Sequence, residues 1–152
     1  MHDGWDTMYN VVIYTDGACI GNPGPGGWAA VLTIEGKPNY QLNISGGAKH
    51  TTNNVMELTA VIEALKRIKT DCAVTVVSDS QYVVNAFNKK WVYNWEKSGW
   101  KNRPNSELWK AVLPLVRKYN VQFKWIKGHA GHHYNELCDS EAQRQAKIYS
   151  LS

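Results

Sequence analysis

The sequence predicts a mixed α/β fold: a five-stranded sheet flanked by helices, with three antiparallel strands first and the fourth and fifth strands parallel to the first. Three β-rich runs precede any helical pattern, and two further strands are each set between helical segments. Residues 11–15 are β-branched and aromatic and read as the first strand, ending at Asp16-Gly17. Gly21-Asn22-Pro23-Gly24-Pro25-Gly26-Gly27 reads as a turn or loop from its glycine and proline content. No Gly-Lys-Ser/Thr follows, so it is not a phosphate-cradling P-loop. Residues 28–34 form the second strand. A turn at Gly36-Lys37-Pro38-Asn39 leads to the third, 40–44, which Ser45-Gly46-Gly47 ends. Together these make an antiparallel meander. Thr52-Asn53-Asn54 supplies capping side chains for the clearest helix, in which Leu58, Val61, Ile62, Leu65 and Ile68 recur at helical spacing. Residues 73–78 are a short fourth strand. Ser80 caps the next helix, with Val83, Val84 and Phe87 on its apolar side. Residues 88–104 hold a short helix and a loop. Ser106 caps a helix through about residue 118. Residues 121–126 are the fifth strand, 128–133 a loop, and 135 to about 149 the final helix. Parallel strands need a crossover, which the intervening helices supply.

The chain has 152 residues, with 43% hydrophobic and 20% charged residues, a balance that excludes disorder and fits a single domain spanning 1–152. Residues 1–8 read as a loose N-terminal extension. No apolar run approaches the roughly 20 residues of a membrane span, and no basic start leads into an apolar stretch, so a cytoplasmic protein without a membrane partner is expected. Cys19, Cys72 and Cys138 are odd in number and far apart, with no CxxC pair, which argues against a disulfide framework or a zinc site. The net charge of +4 is compatible with a polyanionic partner without demonstrating one.

Four carboxylates occupy unusual places. Asp16 ends the first strand and Asp79 the fourth, where α/β proteins tend to place ligands. Glu57 shares a helical stripe with Ala60, Val61 and Ala64, the apolar side, so it faces the sheet rather than water. Asp139 repeats the pattern with Ala142 and Ala146. No Lys or Arg lies on the stripe near Glu57. An unpaired buried carboxylate is costly, and several together repel. A hard divalent cation with oxygen ligands, such as Mg²⁺, would remove the conflict. Taken singly, each acid is equally a helix cap or a solvated edge residue, and spacing alone does not show that the four meet.

The chain resembles type 1 ribonuclease H, the cellular ribonuclease HI family related to the ribonuclease H domains of reverse transcriptases. The matching segments are Tyr14-Thr15-Asp16-Gly17-Ala18-Cys19 with the glycine-proline stretch from Gly21 to Gly27, then Thr51-Thr52-Asn53-Asn54-Val55-Met56-Glu57-Leu58. Ser78-Asp79-Ser80-Gln81-Tyr82-Val83 follows, and then Lys127-Gly128-His129-Ala130-Gly131-His132, with Asn135-Glu136 and Cys138-Asp139. They span nearly the whole chain in the family's order. The resemblance implies a ribonuclease H-like fold and an endoribonuclease that hydrolyses the RNA strand of RNA–DNA hybrids, leaving 5′-phosphate and 3′-hydroxyl ends. It implies that Asp16, Glu57, Asp79 and Asp139 bind two Mg²⁺ ions, with Mn²⁺ as a possible substitute, and that His129 assists by proton transfer or product release. His132 and His133 receive no role. A monomer without an obligate protein partner is expected.

The same resemblance places Cys19, Asn22, Asn53, Asn54 and Gln81 near the RNA or at the minor groove, where amides meet 2′-hydroxyls and base edges without reading a unique sequence. Thr52 and Asn94 match the family's pocket for a DNA phosphate, and Trp91 and Trp95 the pair lining the DNA channel. Trp109, with Val112 and Val116 at helical spacing, reads as core. The chain departs from many bacterial members in a short, charge-diluted segment from Trp100 to Trp109, near Glu96 and Ser98, and in Val55, where Arg is often found. Weaker, less salt-sensitive hybrid binding is therefore expected. Three alternatives stand beside this reading: a DNA nuclease or resolvase of the same fold, a non-catalytic hybrid-binding protein, and a fragment of a larger polymerase. The Asn22, Thr52-Asn53-Asn54 and Gln81 set favours the hybrid over the first. All four acids are present, against the second. The initial Met and full motif set favour a free-standing protein over the third.

Overall fold

The computed structural model describes residues 9–152; the loose extension expected at 1–8 lies outside them. Strands β1 (Tyr9–Cys19), β2 (Gly24–Ile34) and β3 (Lys37–Thr51) form an antiparallel meander. Helix α1 (Asn53–Leu65) leads to β4 (Cys72–Ser78). Then come α2 (Gln81–Asn88), α3 (Trp91–Lys97), α4 (Ser106–Tyr119), β5 (Gln122–Trp125) and α5 (His133–Ser150). The sheet order is β3-β2-β1-β4-β5, with β4 parallel to β1 and β5 parallel to β4. This is the mixed five-stranded architecture the sequence predicts.

The first hairpin is longer than predicted. The chain stays paired through Asp16, Gly17, Ala18 and Cys19, opposite Ala29, Trp28, Gly27 and Gly26. The glycines from Gly24 to Gly27 belong to β2, and Ser45-Gly46-Gly47 lies inside β3. These glycines answer to packing rather than turning. A β-carbon on Gly27 would lie 2.6 Å from Gln145 Cβ and 2.7 Å from Ala146 N on α5. One on Gly46 would lie 2.8 Å from the Trp28 indole nitrogen. Ile68, expected in α1, falls beyond the helix, yet packs on the same core.

Two unequal layers cover the sheet. The larger core joins Val11, Ile13, Ala30 and Leu32 of the sheet to Leu58 and Val61 of α1, Phe87 of α2 and Trp109 of α4. Trp109 is fully buried, as its spacing implied, with its ring centroid 5.4 Å from those of Tyr82 and Trp95. Phe87 stacks on Phe123 with centroids 4.2 Å apart. On the opposite face α5 packs Cys138 and Ala142 against Ala29 and Val31. The cysteines are all unpaired. Burial pushes the Cys138 thiol up to about 12, so it acts as a small hydrophobe. Among the described residues no helix is long and apolar enough to cross a membrane.

Candidate functional site

Four elements deliver the acidic side chains to one end of the sheet. Asp16 lies near the end of β1, Asp79 directly after β4, Glu57 in the second turn of α1 and Asp139 in α5. Helix α1 begins where it does because Thr52 caps it: the Val55 amide donates to Thr52 Oγ1 at 3.2 Å. Of the predicted capping trio Thr52 alone takes that part; Asn53 and Asn54 are exposed in the first turn. Ser80 caps α2 as expected, accepting from the Val83 amide at 3.2 Å. At α4 the expectation fails. Asn105, in left-handed backbone, occupies the cap position in place of Ser106 and donates its amide to the Tyr82 hydroxyl.

Carboxylate oxygens of Asp16, Glu57 and Asp79 all lie within 4.8 Å of one another. Asp139 stands beside this trio, close enough for its charge to help raise Asp16. Burial is the first cause that holds Asp16 up at about 8, with the Asp79 charge second. Burial likewise raises Glu57 well above the usual carboxylate range, with Asp16 and Asp79 adding repulsion. Asp79 is raised too, by burial and then by Asp139. Glu57 is 9% exposed, and its Oε1 is buried without a hydrogen-bond partner. Among the described residues no Lys or Arg pairs with these crowded acids, and with an orphaned oxygen they suit a hard divalent cation. The donor set, all oxygen, fits Mg²⁺ or Mn²⁺.

The remaining predicted residues lie on several elements. His129, in left-handed backbone with φ of 57°, has its Nδ1 3.8 Å from Asp139 Oδ2. Asn22 Oδ1 accepts from the Asn53 amide at 2.9 Å, which ties the β1–β2 turn to the start of α1. Cys19 is half-buried, its thiol donating to the Thr51 carbonyl at 3.3 Å. Gln81 and Asn94 are exposed. On α3, Trp91 is 38% exposed with Lys89 over its ring, and Trp95 lies under Arg103 at 4.2 Å.

Three neighbours of the cluster carry no site role in the sequence analysis. The Trp125 indole donates to the Asp79 carbonyl at 3.0 Å. Gly128 lies so close that a β-carbon would fall 2.6 Å from Asp79 Oδ2. Gln143 donates to Asp139 Oδ1 at 3.1 Å. The i to i+4 spacing of Gln143 from Asp139 was a readable signal for that contact. Nothing in the sequence marked Trp125, whose partner is 46 residues away.

This geometry has known counterparts. The RNase H family model matches residues 8–147. The chain belongs to the ribonuclease H family. A ribonuclease H of Nitratidesulfovibrio vulgaris is 47% identical over 150 residues, covering 95% of this chain and 94% of the relative. One from Syntrophomonas wolfei is 49% identical over 146 residues, covering 92% and 98%. Among solved structures, LC9-RNase H1, described as a type 1 RNase H with the type 2 active-site motif, superposes with a TM-score of 0.83 at 30% identity, covering 93% of this chain and 74% of that one. LC11-RNase H1 in complex with RNA/DNA hybrid gives 0.70 at 26%, covering 93% and 99%. With such relatives the chain is an enzyme, a ribonuclease H.

Proposed function

We propose that this ribonuclease H cuts the RNA strand of RNA–DNA hybrids at the Asp16–Glu57–Asp79–Asp139 cluster, with two divalent ions held by these four carboxylates. The observation that carries the reading is the convergence of three carboxylates from three separate elements within 4.8 Å, one of them with a buried, unpartnered oxygen. Two bound Mg²⁺ ions would supply charge neutralisation, an activated water and stabilisation of the attacking and leaving oxygens, giving 5′-phosphate and 3′-hydroxyl ends. All four acids come from one chain, so the reading needs no partner subunit, and three unpaired cysteines suit the reducing cytoplasm.

The chain's own residues then divide the work. Asp16 and Glu57, both raised by burial, would lose protons as an ion binds. His129, exposed beside Asp139, takes or delivers a proton at the cleaved linkage or eases product departure. Asn53, Asn54 and Gln81 offer amides to the minor groove, where the RNA 2′-hydroxyl distinguishes the strands. Asn22 holds Asn53 in place, and Cys19 abuts the same turn. Thr52 spends an acceptor lone pair on its cap, leaving its hydroxyl hydrogen for a phosphate, with Asn94 as the second donor. Trp91 and Trp95 present faces to the DNA sugars.

A panel of end-labelled substrates tests the proposal: an RNA–DNA hybrid, duplex DNA and duplex RNA, with Mg²⁺. The expected result is cleavage of the hybrid's RNA strand alone, with fragments bearing 5′-phosphates. Cleavage of duplex DNA would favour the DNA nuclease reading, and tight hybrid binding without cleavage the non-catalytic one.

A further inference from the structure

We infer that the groove between the end of β1 and helix α5 is a second contact for the RNA strand, in which Lys147 holds a phosphate beyond the one at the cleaved linkage. The inference rests on the hybrid reading above. The groove, of about 380 Å³, is lined by Gly17, Ile20 and Asn53 on one side and Gln143, Ala146 and Lys147 on the other. It is continuous with the acidic cluster through two hydrogen bonds. The Gly17 amide donates to Asp16 Oδ1 at 2.9 Å, and Gln143 donates to Asp139 Oδ1 at 3.1 Å. Asp139, Gln143 and Lys147 succeed one another at i, i+4 and i+8 on α5, each step advancing roughly 6 Å along the axis. The wall therefore passes from carboxylate to amide to ammonium, and the surface becomes more hospitable to a phosphate with distance from the acids.

Lys147 is exposed and, among the described residues, makes no ion pair; its neighbour Arg144 is held by Glu141 at 2.8 Å. Gly17 and Ala146 keep the floor low, and Ile20, 47% exposed, offers an apolar face to a ribose at the rim. The strand is the RNA and not the DNA for a topological reason. The DNA-facing residues of α3 belong to the layer of α1, whereas α5 covers the opposite face of the sheet.

The test is cleavage of hybrids carrying one neutral methylphosphonate linkage, moved along the RNA strand, by wild type, Lys147→Ala and Lys147→Arg. In wild type, neutralising one linkage a few nucleotides from the cut should raise KM roughly three- to tenfold, as expected for losing one charged phosphate contact. Lys147→Ala should show the raised KM on the unmodified hybrid and no further penalty at that linkage, with kcat little changed. Lys147→Arg should restore the wild-type pattern. If Lys147→Ala keeps the full positional penalty, the inference is overturned while hybrid cleavage stands. If wild type cuts no hybrid at all, the functional reading falls and takes this inference with it.

Discussion

The backbone of Gly17 is pressed against that of Glu57: a β-carbon on Gly17 would lie 2.6 Å from the Glu57 amide nitrogen and 2.8 Å from the Met56 carbonyl carbon. The missing side chain lets α1 seat on β1 just where Asp16 is carried, so one contact sets the spacing of two acids. Gly17→Ala must push the helix away. The expected cost is about 1–3 kcal/mol, the usual range for overpacking. A lower urea midpoint together with weaker divalent-ion affinity would bear this out; an unchanged midpoint would contradict it.

The crowded acids make the metal-free protein sensitive to pH. Asp16 is held at about 8 and Glu57 is also raised, so between about pH 4, the ordinary carboxylate value, and about 8 the folded chain binds more protons than the unfolded one. Stability with a chelator present therefore falls as pH rises through that window. Glu57→Gln removes a titrating group from the cluster and should flatten the fall of metal-free stability with pH while depressing activity. Thermal melts of both proteins across this range, with and without Mg²⁺, provide the check. A wild-type protein that gains stability on the way up would refute the account.

How much of this was legible beforehand depends on what each residue answers to. The order and pairing of the strands were readable because alternation and helical spacing are local. The extent of the first hairpin was not, because Gly26 and Gly27 look like turn residues until α5 is known to rest on them. Asp16 and Glu57 could be singled out as acids at an apolar place, and their meeting is visible only in the fold, where Gly17 joins them. Trp125 and Gly128 act on Asp79 across the sheet edge, a relationship no spacing encodes.

Trp125 should matter more than its 43% exposure suggests, because its indole holds the Asp79 carbonyl. Trp125→Phe keeps an aromatic ring and loses the donor. A stability loss of about 0.5–1.5 kcal/mol, the net worth of one hydrogen bond, should accompany a several-fold fall in kcat as Asp79 loosens. Steady-state kinetics beside denaturant melts separate the two effects; wild-type kcat with a lowered midpoint would show the bond to be structural only.

Hybrid binding should depend only weakly on salt. Arg117, on α4 beside α3, is already engaged by Glu96 at 2.6 Å, which withdraws one cation from the phosphates. Each phosphate contact adds roughly 0.7–0.9 to the slope of log affinity against log salt. The slope should be shallower than that of a strongly basic ribonuclease H measured alongside, and Glu96→Gln, which frees Arg117, should steepen it. An equal or steeper wild-type slope would be evidence against this.

Most direct of all is the rate at which a labelled hybrid is cut by wild type and by Asp79→Asn, each with Mg²⁺ and with a chelator. The wild-type protein should cut only with the metal. Asp79→Asn should fall by roughly a thousandfold, about 4 kcal/mol of lost transition-state stabilisation. Cutting that persists in Asp79→Asn, or in wild type under chelator, would mean that these carboxylates are not the metal-dependent centre of the enzyme.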